Sequence, residues 1–364
     1  MPAPAARQLL CSLLQIEHPL LLAPMLNVST PSLVAAASNS GGLGIYGASS
    51  SSPADLVRII GEIRSLTAKP FGINLFVPEP HNPSFTAAQT RAVEQAHVLL
   101  NKFRAEVGMS PTSTSPPIKD TRELFESQID TIIAERVPVL SLHFGTPSAA
   151  TFAKIKASKT VTIATATNVA EARELEQAGA DIICAQGTEA GGHHGTFIGD
   201  HRAGEIGLLA LIPEICNAVT VPVVAAGGIM TGSAINAVMQ LGAAGAQLGT
   251  AFLTCPESNA SAAHVKILRD GSAQSTILTQ AFTGRVARGL ATSPIIEALD
   301  EVQQQLPNTF CLAARDLFAE AKKKGRPELS PMWAGQGFRQ ARELPAGELF
   351  EKLLSELKAA TKGV

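Results

Sequence analysis

The chain has 364 residues, 45% hydrophobic and 16% charged, with a net charge of −2. That apolar fraction excludes wholesale disorder, and the balanced charge gives no broad field for holding nucleic acid. No apolar run reaches the ~18 residues that cross a bilayer, so neither nucleic acid nor a membrane is an expected partner.

There are 30 Gly and 23 Pro but only 4% aromatics, so the apolar content rests on Ala, Val, Ile and Leu. This suits short buried parallel strands and close helix packing, and argues against an aromatic platform for RNA. Cys11, Cys184, Cys216, Cys255 and Cys311 form no CxxC pair. They give neither a disulfide framework nor a zinc signature, and no metal is expected. The N-terminus has no clear signal-peptide core with a cleavage site. A soluble protein of a reducing, intracellular compartment is expected, cytoplasmic first, with a mitochondrial address left open.

The first predicted strand is 20–23, with a helix from Pro31. The second is 42–45. Ser52-Pro53-Ala54-Asp55 then reads as an N-cap with Pro at the first helical position. Leu56, Ile59, Ile60, Ile63 and Leu66 keep helical spacing after it. The third strand is 71–75. The rhythm breaks over about 79–119, rich in Pro, Ser and Thr, with one helix near 90–105; this reads as an insertion. A helix to Glu135 leads to the fourth strand, 137–142, and 161–165 is the fifth. Asn168 and Glu171 form a cap pair for a helix that Gly179 ends. Residues 181–185 are the sixth strand, 221–226 the seventh and 246–248 the eighth, with a helix over 232–241 between the last two.

Eight β/α steps predict an α/β fold, a TIM (β/α)8 barrel, with an open doubly wound sheet as the alternative. The barrel spans 1–255, with the insertion over one end. Residues 256–364 read as a mostly helical lid and C-terminal segment, with a last helix over 346–360, so a ligand would sit between the two parts.

Barrel sites lie at the C-terminal strand ends, and phosphates favour the loops after strands seven and eight. Those strands end in Ala225-Ala226-Gly227-Gly228-Ile229 and Gln247-Leu248-Gly249-Thr250. Each lets a phosphate approach backbone N–H groups with no Cβ in the way. Tight turns that simply need glycine are the plainer reading of either alone; together they point to phosphate. There is no Walker loop and no GxGxxG.

The sixth strand runs into Gln186-Gly187-Thr188-Glu189-Ala190-Gly191-Gly192-His193-His194-Gly195. Two histidines among glycines have little local apolar surface to bury them. One could act as base or hydrogen-bond donor. A solvated loop histidine is the plainer alternative; a metal site is weakly supported, because adjacent side chains rarely converge on one ion. His143, ending strand four, either faces a ligand or is a satisfied interior residue. Cys184 and Cys255 read as core. The only Trp, in Met332-Trp333-Ala334-Gly335-Gln336-Gly337, either folds over the pocket or tethers the chain. Arg285 and Arg288 could contact phosphate, lid or solvent, and Tyr46 could reach the pocket rim.

Taken with Ala23-Pro24-Met25, Gly41-Gly42-Leu43-Gly44, Gly72-Ile73-Asn74-Leu75-Phe76, Ser141-Leu142-His143-Phe144-Gly145 and Leu248-Gly249-Thr250-Ala251-Phe252, these segments resemble the FMN-dependent nitronate monooxygenases, formerly 2-nitropropane dioxygenases. The likeness is greatest to the fungal and bacterial class I enzymes. Glu-Ala-Gly-Gly-His also occurs in flavin-dependent enoyl reductases and does not separate the two activities alone. The resemblance implies FMN as cofactor and His193 as the base or substrate-orienting group, with His143 and His194 on the substrate side. Pro24 and Met25, with Ala23 beside them, would lie along the isoalloxazine. Asn74 and Gln186 would hydrogen-bond it, and Gly191 would sit near it. Ala226, Gly227, Gly228, Gly249 and Thr250 would hold the phosphate end. The implied reaction takes an alkyl nitronate and O2 to a carbonyl compound and nitrite. The implied partners are those two small molecules, with a homodimer as an option. The alternative is an NAD(P)H-dependent flavin enoyl or quinone reductase.

Overall fold

The computed structural model describes residues 3–79, 84–115 and 120–362. Its strands are β1 (Leu20–Leu22), β2 (Leu43–Gly47), β3 (Phe71–Phe76), β4 (Val139–His143), β5 (Val161–Ala166), β6 (Ile182–Gln186), β7 (Gly192–His193), β8 (Val223–Ala226), β9 (Gly245–Leu248), β10 (Thr276–Thr279) and β11 (Ala287–Leu290). All but β7, β10 and β11 close into a parallel barrel in the order β1-β2-β3-β4-β5-β6-β8-β9. It shuts where Leu20, Leu21 and Leu22 lie opposite Ala246, Gln247 and Leu248. Every predicted barrel strand is present, and closure decides for the TIM barrel over the open sheet.

Alternation along the strands feeds two cores. Leu21 points inward with Leu43, Ile45, Val139, Ile163, Ile182 and Val224. Leu20 and Leu22 join the layer beneath the outer helices. An element not read from the sequence, the helix Ala3–Leu14, adds Ala6, Leu10 and Leu14 to the inner cluster. Leu10 reaches Gly245 at the start of β9, so this helix plugs the N-terminal end and leaves the C-terminal end open.

Local signals act as the residue types dictate. Ser52 accepts from Asp55 N at 3.1 Å with Pro53 at the helix start, and Asn168 Oδ1 accepts from Glu171 N at 3.0 Å. Glu171 does not close a reciprocal cap. Fully buried, it accepts instead from Thr167 N at 2.7 Å, Phe197 N at 2.7 Å and Ile198 N at 3.0 Å. It therefore anchors a loop after β6.

After β9 the chain makes a long excursion, then the helix Ala346–Lys362 packs against Gly232–Gln240 and Pro31–Asn39, completing the outer ring. The excursion is less helical than expected, because β10 and β11 form an antiparallel pair and β11 also pairs with β7. The insertion contributes the helix Ala87–Glu106; its residues 80–83 and 116–119 lie outside the described residues. Ala96, Leu100 and Phe103 pack with Phe282, Phe310 and Leu317 in a separate core. The buried Arg104 guanidinium donates to Ala313 O at 2.7 Å and Asp316 Oδ1 at 2.9 Å, tying insertion to excursion. Among the described residues no helix is long and apolar enough to cross a membrane.

Candidate active site

A cavity of about 1140 Å³ opens above the C-terminal strand ends, walled by barrel, insertion and excursion. β6 delivers Gln186 to it, and the loop turns back through Gly192, whose φ is +78°. Gln186 grips that loop on both sides: Nε2 donates to His193 O at 2.9 Å, and Oε1 accepts from Gly195 N at 2.7 Å. His143 donates from Nε2 to the same His193 carbonyl at 3.3 Å.

The His193 ring stands among Trp333, Phe76 and Phe144, with centroids 5.7, 6.0 and 6.1 Å away. Its Nε2 lies 3.1 Å from Thr283 Oγ1. Burial, aided by the positive charge of Arg285, pulls its pKa from 6.5 to about 4. His143 is pulled to about 3, by burial first and the neighbouring His193 second. Both rings are neutral at neutral pH, which replaces the solvated loop histidine with a caged one. Arg285 lies 4.0 Å over the Phe144 ring and pairs with Glu79 at 3.0 Å.

The strand ends hold the remaining candidates. Ala23, Pro24, Met25, Asn74, Gly191, Ala226, Gly227, Gly228, Gly249 and Thr250 all border the same cavity. Gly227 and Gly228 have φ of +141° and +63°, conformations that side chains resist. Among the described residues the N–H groups of Gly228 and Gly249 have no partner. Thr250 Oγ1 accepts from Gly335 N at 2.9 Å and keeps its own hydrogen to donate. Asn74 donates from Nδ2 to Ser141 O and Oγ at 3.2 and 3.1 Å, leaving Oδ1 without a partner among the described residues.

Several candidates go elsewhere. His194 is buried away from the cavity wall, with Nε2 2.6 Å from Gly204 O and its N–H on Val286 O. Its Nε2 and backbone N–H hold the loop and its side chain is absent from the cavity lining, so the structure does not join it to the substrate side. Arg288 is also structural, donating from Nε to Thr188 O at 2.6 Å. Tyr46 packs into the outer core rather than on the cavity wall. Cys184 and Cys255 are buried thiols, each pushed up to about 12 by desolvation, as core residues should be. Trp333 does fold over the pocket, bridging to Gly289 beside His193.

Three cavity residues had no assigned role from sequence. Thr283 sits in an irregular turn whose only local signal is Gly284. Phe144 has φ of +71°, a conformation no pattern announces. Gln247 Oε1 is buried without a hydrogen-bond partner, and its signal was legible: a polar side chain inside an otherwise apolar barrel strand.

Unsatisfied polar groups around a caged, uncharged imidazole suit a barrel oxidoreductase that leaves the redox step to a bound cofactor. Residues 7–356 match the family model described as nitronate monooxygenase. A probable nitronate monooxygenase from Staphylococcus aureus (strain Newman) is 38% identical over 359 residues, covering 96% of each chain. Nitroalkane oxidase from Streptomyces ansochromogenes superposes with a TM-score of 0.89 at 38% identity, over 98% of this chain and 99% of that one. FabK from Thermotoga maritima gives a TM-score of 0.72 at 28% identity, over 97% of each. The chain belongs to the nitronate monooxygenase family, whose members are flavin-dependent oxidoreductases.

Proposed function

We propose that the protein binds FMN non-covalently and oxidises alkyl nitronates with O2 to a carbonyl compound and nitrite. The observation that carries this reading is the neutral, aromatic-caged His193 in one cavity with the Gly227–Gly228 and Gly249–Thr250 corner. The residues present fit FMN. The free N–H groups of Gly228 and Gly249 and the Thr250 hydroxyl suit a phosphate. The unpartnered acceptors Asn74 Oδ1 and Gln247 Oε1 suit the N–H and hydroxyl groups of a flavin and its ribityl chain. Pro24 and Met25 would wall the ring, with Gln186 and Gly191 at its border, since all four line the cavity. Bound flavin supplies the electron transfer.

The protein's own tasks are positional and electrostatic. Arg285 supplies the positive charge that an anionic nitronate needs, held rigidly by Phe144 and Glu79. His193 orients the substrate within its cage, and where a neutral nitroalkane is used it takes the proton from the carbon beside the nitro group. The insertion and excursion act as a lid that limits water around the barrel end.

The test is anaerobic mixing of the purified protein with a nitronate, and separately with NADPH, while the flavin spectrum is followed. Nitronate should perturb the flavin rapidly and NADPH should not, and in air nitronate should drive O2 uptake without NAD(P)H. A colourless protein that FMN cannot reconstitute sinks the cofactor assignment; rapid reduction by NADPH alone would turn the reading toward an enoyl or quinone reductase.

A further inference from the structure

Residues 332–338 form a strap across the open end of the barrel, and both ends of it are pinned. Leu290 N donates to Met332 O at 2.9 Å and Ala334 N to Arg288 O at 3.3 Å, so the strap starts along β11. Met332 and Ala334 bury with Leu253 and Leu290. Trp333 between them turns to the cavity, its ring 5.7 Å from His193 and 5.6 Å from Phe282. The strap then crosses the strand ends. Gly335 N donates to Thr250 Oγ1 at 2.9 Å, and Gln336 N to Glu189 O at 2.9 Å. A Cβ on Gly335 would fall 2.8 Å from Glu189 O, and one on Gly337 2.5 Å from Gly228 O, so here the strap lies directly on backbone. One end therefore touches the corner that carries Gly228 and Thr250, and the other caps the His193 cage.

We propose that Thr250 is a positioning residue that couples the phosphate of the bound flavin to this strap, so that filling the phosphate corner closes Trp333 over the substrate side. A hydroxyl has one hydrogen and two lone pairs. One lone pair of Thr250 receives the Gly335 N–H, and the hydrogen has no acceptor among the described residues. It borders the cavity beside the free N–H groups of Gly228 and Gly249, where a phosphate can take it. Hydrogen bonds in a chain polarise one another, so a hydroxyl that donates to an anion accepts more strongly. The phosphate thereby tightens the Gly335 bond without touching Gly335. Trp333 is two residues away along the same backbone, so order imposed at Gly335 reaches the ring that packs on His193.

The inference rests on the reading of FMN as cofactor, and the test separates the two. Flavin-free protein is compared with the same protein saturated with FMN or with riboflavin, which has the ring and ribityl chain but no phosphate. Hydrogen exchange is followed by mass spectrometry in the peptide that spans 332–338. FMN should slow exchange there by about tenfold, within the range of couplings between sites, and riboflavin much less. With FMN at saturation, Thr250→Ser should keep this protection. Thr250→Val should lose it, while the peptide holding Gly227 and Gly228 stays protected by the ligand. Equal protection of the strap by FMN and riboflavin overturns the proposal, as does full protection in Thr250→Val or in the flavin-free protein. The comparison of FMN with riboflavin needs no variant, so a Thr250→Val that fails to fold does not shield the proposal. Failure of the cofactor reading shows separately, as a wild type that takes up no FMN.

Discussion

Gln186 holds His193 by its backbone: the same side-chain amide donates to the His193 carbonyl at 2.9 Å and accepts from Gly195 N at 2.7 Å. One residue at the end of a rigid barrel strand thereby sets the height of a cavity-lining loop that has almost no regular structure of its own.

This relationship predicts the behaviour of Gln186→Leu. The substitution keeps the volume but strands the Gly195 N–H and leaves the His193 carbonyl with only the longer bond from His143. Stability should fall by about 1–3 kcal/mol in urea denaturation, the usual penalty for unpaired buried polar groups. Flavin absorbance should persist, because the phosphate corner is untouched, while kcat/KM drops as His193 drifts. A variant that loses flavin but keeps its urea midpoint would mean that Gln186 serves the cofactor directly and not the loop.

Buried histidines give the fold a pH dependence of definite sign. Burial lowers His193 and His264 from 6.5 to about 4, and burial with the His193 charge lowers His143 to about 3. Below about 6.5 the unfolded chain binds protons that the native state refuses, so native stability is full above that pH and declines as pH falls through the native values. Each histidine should contribute a slope on the order of 1 kcal/mol per pH unit across that window. Urea midpoints at pH 7.5, 6 and 5 measure it. His264→Phe, outside the proposed catalytic groups, should flatten the decline; the same decline in that variant would show that His264 is not the buried neutral group described.

Two neighbouring glycines should behave differently. A Cβ on Gly191 would lie 2.5 Å from Ala334 C and Gly335 N, backbone atoms that cannot step aside. A Cβ on Gly192 would meet nothing within 4 Å, though φ is +78°. Gly191→Ala should push the Trp333 segment off the pocket, destabilising the protein by about 1–3 kcal/mol, the scale of overpacking. Its single Trp should then show red-shifted emission. Gly192→Ala should bear only the left-handed strain of about 1–2 kcal/mol and leave Trp emission unchanged. Equal emission spectra in the two variants would break the claimed contact.

The barrel was legible because its signals are local and repeated. Short apolar runs end in glycine, helices start at Ser52 and Asn168, and the period recurs eight times. The cavity border at Gly227, Gly228, Gly249 and Thr250 was legible for the same reason, since these residues sit at strand ends whose positions the barrel dictates. The cage around His193 was not. Trp333, Thr283 and Arg285 reach it from the excursion through tertiary packing, and no spacing in the sequence links residue 193 to residue 283. His194 misled for a related reason: adjacent side chains on an extended loop face opposite ways, and only the strand pairing of Gly192–His193 with Ala287–Arg288 decides which one meets the cavity.

That facing is what His193→Asn tests. Asparagine keeps a polar side chain of moderate size but has no ring nitrogen to accept a proton at this height. The variant should retain flavin, judged by its visible spectrum, and lose about 10²–10⁴-fold in turnover of neutral nitroalkanes, the contribution expected of a positioned general base. With preformed nitronate the loss should be smaller, since no proton has to be removed and Arg285 still offers its charge. The pH profile of wild-type kcat/KM for a nitroalkane follows from the native value of about 4. A base works when unprotonated, so activity should rise from below pH 4 and reach a plateau by about pH 6, with no further step near 6.5. A limb centred at 6.5 would mean that the group doing the work is a solvated histidine instead of the caged one. Equal activity in His193→Asn would remove the imidazole from the reaction altogether.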